Sequence, residues 1–304
     1  MKKSVKVVLI VAASLFCAGL VISTAALALV HFDFSRLNAA ISFGETQNAQ
    51  ALKAERVDKT LENDGKDVIF NLSSAEVVIL PSPDDKIHLS YSNTENIYFE
   101  LEETENEIRL LQKTAGSGHL WFVFNFNSEP QYDVNLLLPK TYAGALNLSS
   151  TSGGVNLRDL AFEGDVRIEL TSGEIVLENV DAKTIFANNS SGEVSVANVK
   201  TQVLNLASIS GDVSAVNSSG TRTEISTTAG EIELSRLGGK QVKLDAVSGD
   251  IEGTVLGSPA DYTVHSDTVS GENNLSEYGE KGENSLDIKT VSGDIEIYFE
   301  AGVN

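Results

Sequence analysis

The sequence predicts an all-β chain: a right-handed β-solenoid built from coils of 19–22 residues, preceded by one N-terminal transmembrane helix. Three observations predict it. A phrase of serine, glycine, acid and β-branched residue recurs along the chain, with glycines at Gly153, Gly173, Gly192, Gly211, Gly230, Gly249, Gly271 and Gly293, separated by 20, 19, 19, 19, 19, 22 and 22 residues. The flanks of that phrase carry apolar residues at a spacing of two. An uncharged run, Val7–Val30, stands behind Lys2, Lys3 and Lys6. A near-constant period of this size marks a chain stacked in coils.

Alignment on the glycine shows what each coil buries. Two residues after it stand Val155, Ile175, Val194, Val213, Ile232, Ile251, Asn273 and Ile295. Four after it stand Leu157, Leu177, Val196, Ala215, Leu234, Gly253, Leu275 and Ile297, and seven before it Leu146, Val166, Ile185, Leu204, Thr223, Val242, Val264 and Leu286. The spacing of two puts these side chains on one face of short strands. One coil cannot bury such a face alone. Coils about 4.8 Å apart let each Ile or Val sit on its counterpart in the next coil.

The glycine serves the turn between two strands, where φ > 0 is open to it without steric cost. The serine before it is expected to bond its hydroxyl to nearby backbone. The acid after it is Glu174, Glu193, Asp212, Glu231, Asp250, Glu272 or Asp294, with Gly154 the exception. Stacked at coil spacing, these carboxylates form a column of like charge that water or cations must screen. Two readings stand for the column: a solvated edge that resists edge-to-edge pairing, or a ridge that binds a cation or partner. The G-G-x-G-x-D pattern of calcium-binding solenoids is absent.

With 304 residues the chain is long enough for one long solenoid or two modest domains, and its net charge of −21 excludes a nucleic-acid partner, because no basic patch offsets it. Residues 1–30 carry three lysines and no acid, so the body is more acidic still. The single cysteine, Cys17, permits no intrachain disulfide; stacking must hold an exported domain together.

In chain order, residues 1–30 read as a membrane anchor, with the lysines on the cytoplasmic side and the C-terminal body outside the cell membrane. A cleaved signal peptide competes, since Ala26-Leu27-Ala28 offers an A-x-A site. Residues 31–64 are mixed and polar, a stalk with a short helix expected around Ala51–Val57. The solenoid is expected over 65–304, with irregular opening coils over 65–140 and regular repeats over 141–304. Val68–Leu80 resembles a degenerate coil in which Ser74-Ala75-Glu76-Val77 takes the place of the phrase, and Pro81, Pro83, Asp84 and Asp85 end it in a turn. KIHLSYS, NIYFELEET and NEIRLLQK follow as alternating strands. Leu120–Asn127 places Trp121 on one face of a strand and Phe122, Phe124 and Phe126 on the other. These aromatics read either as a strand covered on both sides or as an exposed strip for a sugar or partner protein.

Catalytic and metal-binding signatures are missing. His31, His88, His119 and His265 are scattered, with no H-x-x-x-H pair and no cysteine partner. There is no G-x-S-x-G elbow, no P-loop and no dinucleotide fingerprint. The acids recur in register, as a scaffold's do, where an active site is a local exception. No enzyme activity and no cofactor are expected.

The phrases LTSGEIVL, NSSGEVSV, SISGDVSA, AVSGDIEG and TVSGDIEI, with SSAEVVILPSPDDKIHLSY upstream, resemble the bacterial putative adhesin family over roughly residues 65–300. That resemblance implies a cell-surface or envelope-associated β-helical module, linked in some members to envelope stress, and carries over no enzymatic residue. The departures Gly154, Ala229, Gly253 and Asn273 fall on turn or stacking positions. Function is therefore expected to be non-enzymatic binding of a cell-wall polymer, glycan or envelope protein by a module held at the membrane by its N-terminal helix. Two alternatives remain: an envelope-stress accessory protein acting through membrane partners, and a polysaccharide-cleaving β-helix enzyme suggested by fold analogy alone.

Overall fold

The period of the sequence reappears as a hydrogen-bonding register. In the computed structural model, which describes residues 54–115, 133–275 and 282–301, all 21 strands of the described residues join one sheet. They fall within Leu52–Asn304, the second of the chain's two units. The fold is all-β, with one 3₁₀ turn at Pro259–Asp261. Among the described residues no helix is long and apolar enough to cross a membrane; the expected anchor lies outside them.

Residues one period apart pair side by side in parallel. Ile175 pairs with Val194, Val194 with Val213, Val213 with Ile232, and Ile232 with Ile251. Ile185, Leu204, Thr223 and Val242 form a second such row. All of these side chains are buried, so each β-branched residue lies on its counterpart as the spacing requires. The degenerate coil joins the same stack: Ser74 pairs with Ser152 and Val77 with Val155.

Each coil turns at the Ser-Gly corner and again six residues after the glycine. Asp159, Asn179, Asn198, Asn217 and Arg236 stand there with φ between 47° and 58°. Asparagine and aspartate tolerate this left-handed region better than other side chains. The Asn179 amide donates to Asp159 Oδ1 at 2.7 Å and that of Asn198 to Asn179 Oδ1 at 2.9 Å, so the second corner carries its own ladder.

The serine before the glycine does not tie the corner as expected. Ser172, Ser191, Ser210 and Ser248 are exposed, and at four corners, those of Ser191, Ser210, Ala229 and Ser292, the tie comes from the inward-facing residue two positions earlier. Asn189 donates to the carbonyl of Gly173 (2.6 Å), Ser208 to Gly192 (3.2 Å), Thr227 to Gly211 (3.1 Å) and Thr290 to Gly249 (3.1 Å). Each of these four side chains is buried and satisfies the corner carbonyl of the coil it stacks on. Thr223 shows the opposite case: its hydroxyl is buried in the apolar row without a partner. Two substitutions of one type should therefore differ in sign. Thr227→Val is expected to lower stability by about 1–3 kcal/mol, and Thr223→Val to raise it by about 1 kcal/mol, in denaturant unfolding.

The stack departs from the sequence order at its C-terminal end. Gln241–Asp245 pairs with Ser285–Lys289, and Tyr262–Ser270 pairs with Asn284–Ser292. The last coil in sequence thus lies between the two before it, and the expected serial stacking is corrected here. The 22-residue steps, with the added Pro259–Asp261 turn, give the chain length to skip a level and return. Burial decides which coil goes inside. Leu286, Ile288, Ile295 and Ile297 fill the inner level, each buried. The outer coil carries Asn273 at the stacking position, bonded to Ser266 and to the Leu275 N–H, and loses least by being last.

At the other end the first coil is covered by non-repeating strands. Glu107–Thr114 and Asp133–Leu138 lie parallel beneath Asp67–Ser74 and Glu76–Pro81, and antiparallel partners Ile97–Glu103 and Ile87–Asn93 extend them. Gln112 fastens this cover, its Oε1 accepting the N–H groups of Ser73 (2.7 Å) and Ser74 (2.8 Å). Within the stretch expected as stalk, Glu55–Leu61 is a strand antiparallel to Ile87–Asn93. The described part of the expected helix around Ala51–Val57 is thus strand, because Val57 and Leu61 pack against the core at period two.

Candidate functional site

The corner acids face outward by the same alternation that buries their neighbours. Odd positions after the glycine point to solvent, and even ones point to the core. Backbone bonds hold the column in line: the N–H groups of Ile175, Val194, Val213 and Ile232 donate to the carbonyls of Glu193, Asp212, Glu231 and Asp250. Glu174, Glu193, Asp212, Glu231, Asp294 and Glu272 are exposed and Asp250 half-buried. The structure therefore brings the sequence-selected acids together, in the spatial order 174, 193, 212, 231, 250, 294, 272. Trp121, Phe122, Phe124 and Phe126 lie outside the described residues.

Aspartate and glutamate behave differently in the column. The carboxylates of Asp212, Asp250 and Asp294 accept the backbone N–H of the next acid, Glu231 (2.8 Å), Asp294 (2.7 Å) and Glu272 (2.7 Å). Glu76 does the same for Gly154 at 2.9 Å, and a Cβ at Gly154 would stand 2.5 Å from its other carboxylate oxygen. The glutamates carry charge outward with no ion pair to a lysine or arginine among the described residues.

The crowding shows in the titration of two glutamates. Burial first, then Glu174, Asp212 and Glu233, push the Glu193 carboxyl above its ordinary range. Partial desolvation and then Asp212, Asp250, Glu252 and Glu233 do so for Glu231. A carboxyl with a raised folded-state pKa holds its proton better folded than unfolded. Its contribution is unfavourable at neutral pH and is relieved as the pH falls through the raised value toward the unfolded one. Asp84 works the other way, lowered by the Lys86 N–H and His88, but its window lies below the ordinary carboxylate range. Melting temperature at low ionic strength is therefore expected to be higher near pH 5 than at pH 7, and added salt to raise it at pH 7. A monotonic fall from pH 7 to pH 5 would contradict this.

Sequence reasoning missed a second acidic file. Glu233, Glu252 and Glu296 stand three residues after their glycines, outward on the same strand face and in register, Glu233 with Glu252 and Glu252 with Glu296. Across three adjacent coils the face thus holds six carboxylates. Two positions further lie Ser235, Thr254 and Tyr298, the last 56% exposed with its hydroxyl on Glu296 at 2.7 Å. Between these files runs an open groove of about 390 Å³. Gly253 lines it: with φ +128° its backbone closes on the Leu234 carbonyl, and the register slips between Leu234 and Leu237. The departure at Gly253 was the visible signal. On the other side of the corner, Ile209, Val247, Val291 and Val269 are exposed two residues before their glycines. Among the described residues no group of three His, Cys, Asp or Glu side chains is arranged to hold a metal ion.

Residues 66–301 match the model of the family described as Toastrack DUF4097. The chain belongs to that family. The match begins at the degenerate first coil and ends with the last strand, so the Toastrack domain spans the whole stack. No curated protein matches the sequence. Solved structures similar to this Toastrack chain include a putative adhesin from Parabacteroides merdae, 12% identical over 83% of this chain and 98% of its own, TM-score 0.48. Another, a putative lipid binding protein from Parabacteroides distasonis, is 14% identical over 81% and 97%, TM-score 0.49. A putative adhesin from Bacteroides fragilis is 14% identical over 81% and 97%, TM-score 0.47. Likeness at this level says nothing of function.

Proposed function

We propose that this Toastrack chain is a non-enzymatic surface module: a right-handed β-solenoid displayed outside the cell membrane on an N-terminal helix and stalk, which binds a wall polymer, glycan or envelope protein. One observation carries the reading. The corner column and the file beside it make an acidic face with no lysine or arginine ion pair among the described residues, continuous over several coils and bordered by the exposed aliphatic residues Ile209, Val247, Val291 and Val269. A face that only kept the module soluble would need neither the uniform sign nor the apolar border. Its geometry suits an extended partner with positive charge, met coil by coil.

Purified full chain mixed with insoluble envelope polymer preparations tests this. Retention at low salt, release at high salt, and weaker retention of the triple variant Asp212→Asn, Glu231→Gln, Asp250→Asn are expected. Asparagine keeps an oxygen for the neighbouring N–H, so charge is lost without the turn. No retention by a folded chain, or retention indifferent to salt and to the variant, would refute the acidic face as the binding surface.

A further inference from the structure

We propose that the groove beside the acidic corner is a saccharide subsite that takes an amine-bearing sugar, with the Tyr298 ring as its platform and the files of Glu233, Glu252 and Glu296 as its anionic wall. The inference rests on the binding-module reading and deepens it. Three features make the groove. Gly253 lines its floor, where its backbone closes on that of Leu234 and the strand register slips. At one end of the groove stands Tyr298, in register with Thr254 and more than half exposed, its ring on the solvent face of the strand. Val216 supplies apolar surface at the other end.

The chemistry of these walls selects a ligand class. A sugar ring offers an apolar face of C–H groups to an aromatic ring and hydroxyls to its rim, and tyrosine meets both needs. An ammonium group on that sugar would find the carboxylates of Glu233 and Glu252, which form no ion pair within the described residues, and the ring of Tyr298. The carboxylates repeat at the strand spacing of about 4.8 Å, so consecutive sugars along the stack axis would each meet an acid. A neutral sugar lacks the group that the acidic wall recognises.

Calorimetric titration of the full chain at low salt with a glucosamine tetramer, and separately with its N-acetylated counterpart, tests the assignment. The amine form is expected to bind about tenfold or more tightly than the acetylated form. Tyr298→Ala and the pair Glu233→Gln, Glu252→Gln should each weaken it by about tenfold, while Tyr98→Ala, at an exposed tyrosine elsewhere, should leave it unchanged. Ser235→Trp, which fills the groove from the file that Tyr298 shares, should abolish binding while circular dichroism confirms a folded chain. Equal binding of both tetramers, no binding of the amine form, or binding that survives Tyr298→Ala and Ser235→Trp would overturn the proposal. Envelope polymer retained through the corner acids without tetramer binding would refute this subsite and leave the surface-module reading standing. Failure of both would remove both.

Discussion

Gly211→Ala is expected to destabilise the domain by about 3 kcal/mol or more, although it adds a single methyl group at an accessible corner. Gly211 holds φ +149°, and a Cβ there would stand 2.3 Å from the carbonyl oxygen of Gly192 and 2.6 Å from its carbon. The obstacle is backbone, one coil away, and it cannot rotate aside. Coils lie on both sides of Gly211, so neither neighbour can withdraw without breaking its own ladder. For a domain of this size the drop in melting temperature should be about 6–12 °C. Gly65 separates the two contributions. It has φ +70° but its nearest neighbour, the Ala143 Cβ, would be 3.4 Å away. Gly65→Ala carries the strain without the collision and should cost about 1–2 kcal/mol. Equal losses at the two positions would mean that close approach of coils contributes nothing.

Leu206→Ala is the second large effect, about 2–5 kcal/mol in denaturant unfolding. Leu206 is fully buried in a row that runs Ala187, Leu206, Ile225, Leu244. The methyl of Ala187 already leaves the level above to be filled by its neighbours. Truncating Leu206 would put two alanines one above the other, and a parallel stack held by its ladders cannot close the gap by sliding one coil. Loss near the upper end of the range is therefore expected. A loss below about 1 kcal/mol would mean that the row collapses freely, which dense packing across coils excludes.

The repeat was legible because burial in a stacked coil imposes the same demand at each level. Val194, Val213 and Ile232 occupy equivalent positions and show it directly. The glycine was legible as a turn residue, but not as a point of closest approach, since that needs the neighbouring coil in place. The inward ties from Asn189, Ser208 and Thr227 were hidden by their variety: amide and hydroxyls serve the same carbonyl position. Asn179, Asn198 and Asn217 recur at the period and could have revealed the second corner. The acidic column was readable residue by residue. The file of Glu233, Glu252 and Glu296 was not, because outward positions vary freely, with Ser195 and Ser214 standing in the same file. Coil order was least legible of all. The pattern around Gly271 fits either level, and only the comparison of Asn273 with Ile295 says which coil should be buried.

Disulfide trapping at the corners tests that order most directly. With Cys17 replaced by serine, three double variants are compared under mild oxidation: Ser248→Cys with Ser292→Cys, Ser270→Cys with Ser292→Cys, and Ser248→Cys with Ser270→Cys. Ser292 pairs with both Ser248 and Ser270, so the first two pairs lie about 4.8 Å apart and the third about twice that. A disulfide needs Cα atoms within roughly 4.4–6.8 Å. The interleaved stack predicts that the first two variants cross-link within one chain and the third does not. Ready cross-linking of 248 to 270, with none between 248 and 292, would show serial stacking and contradict it.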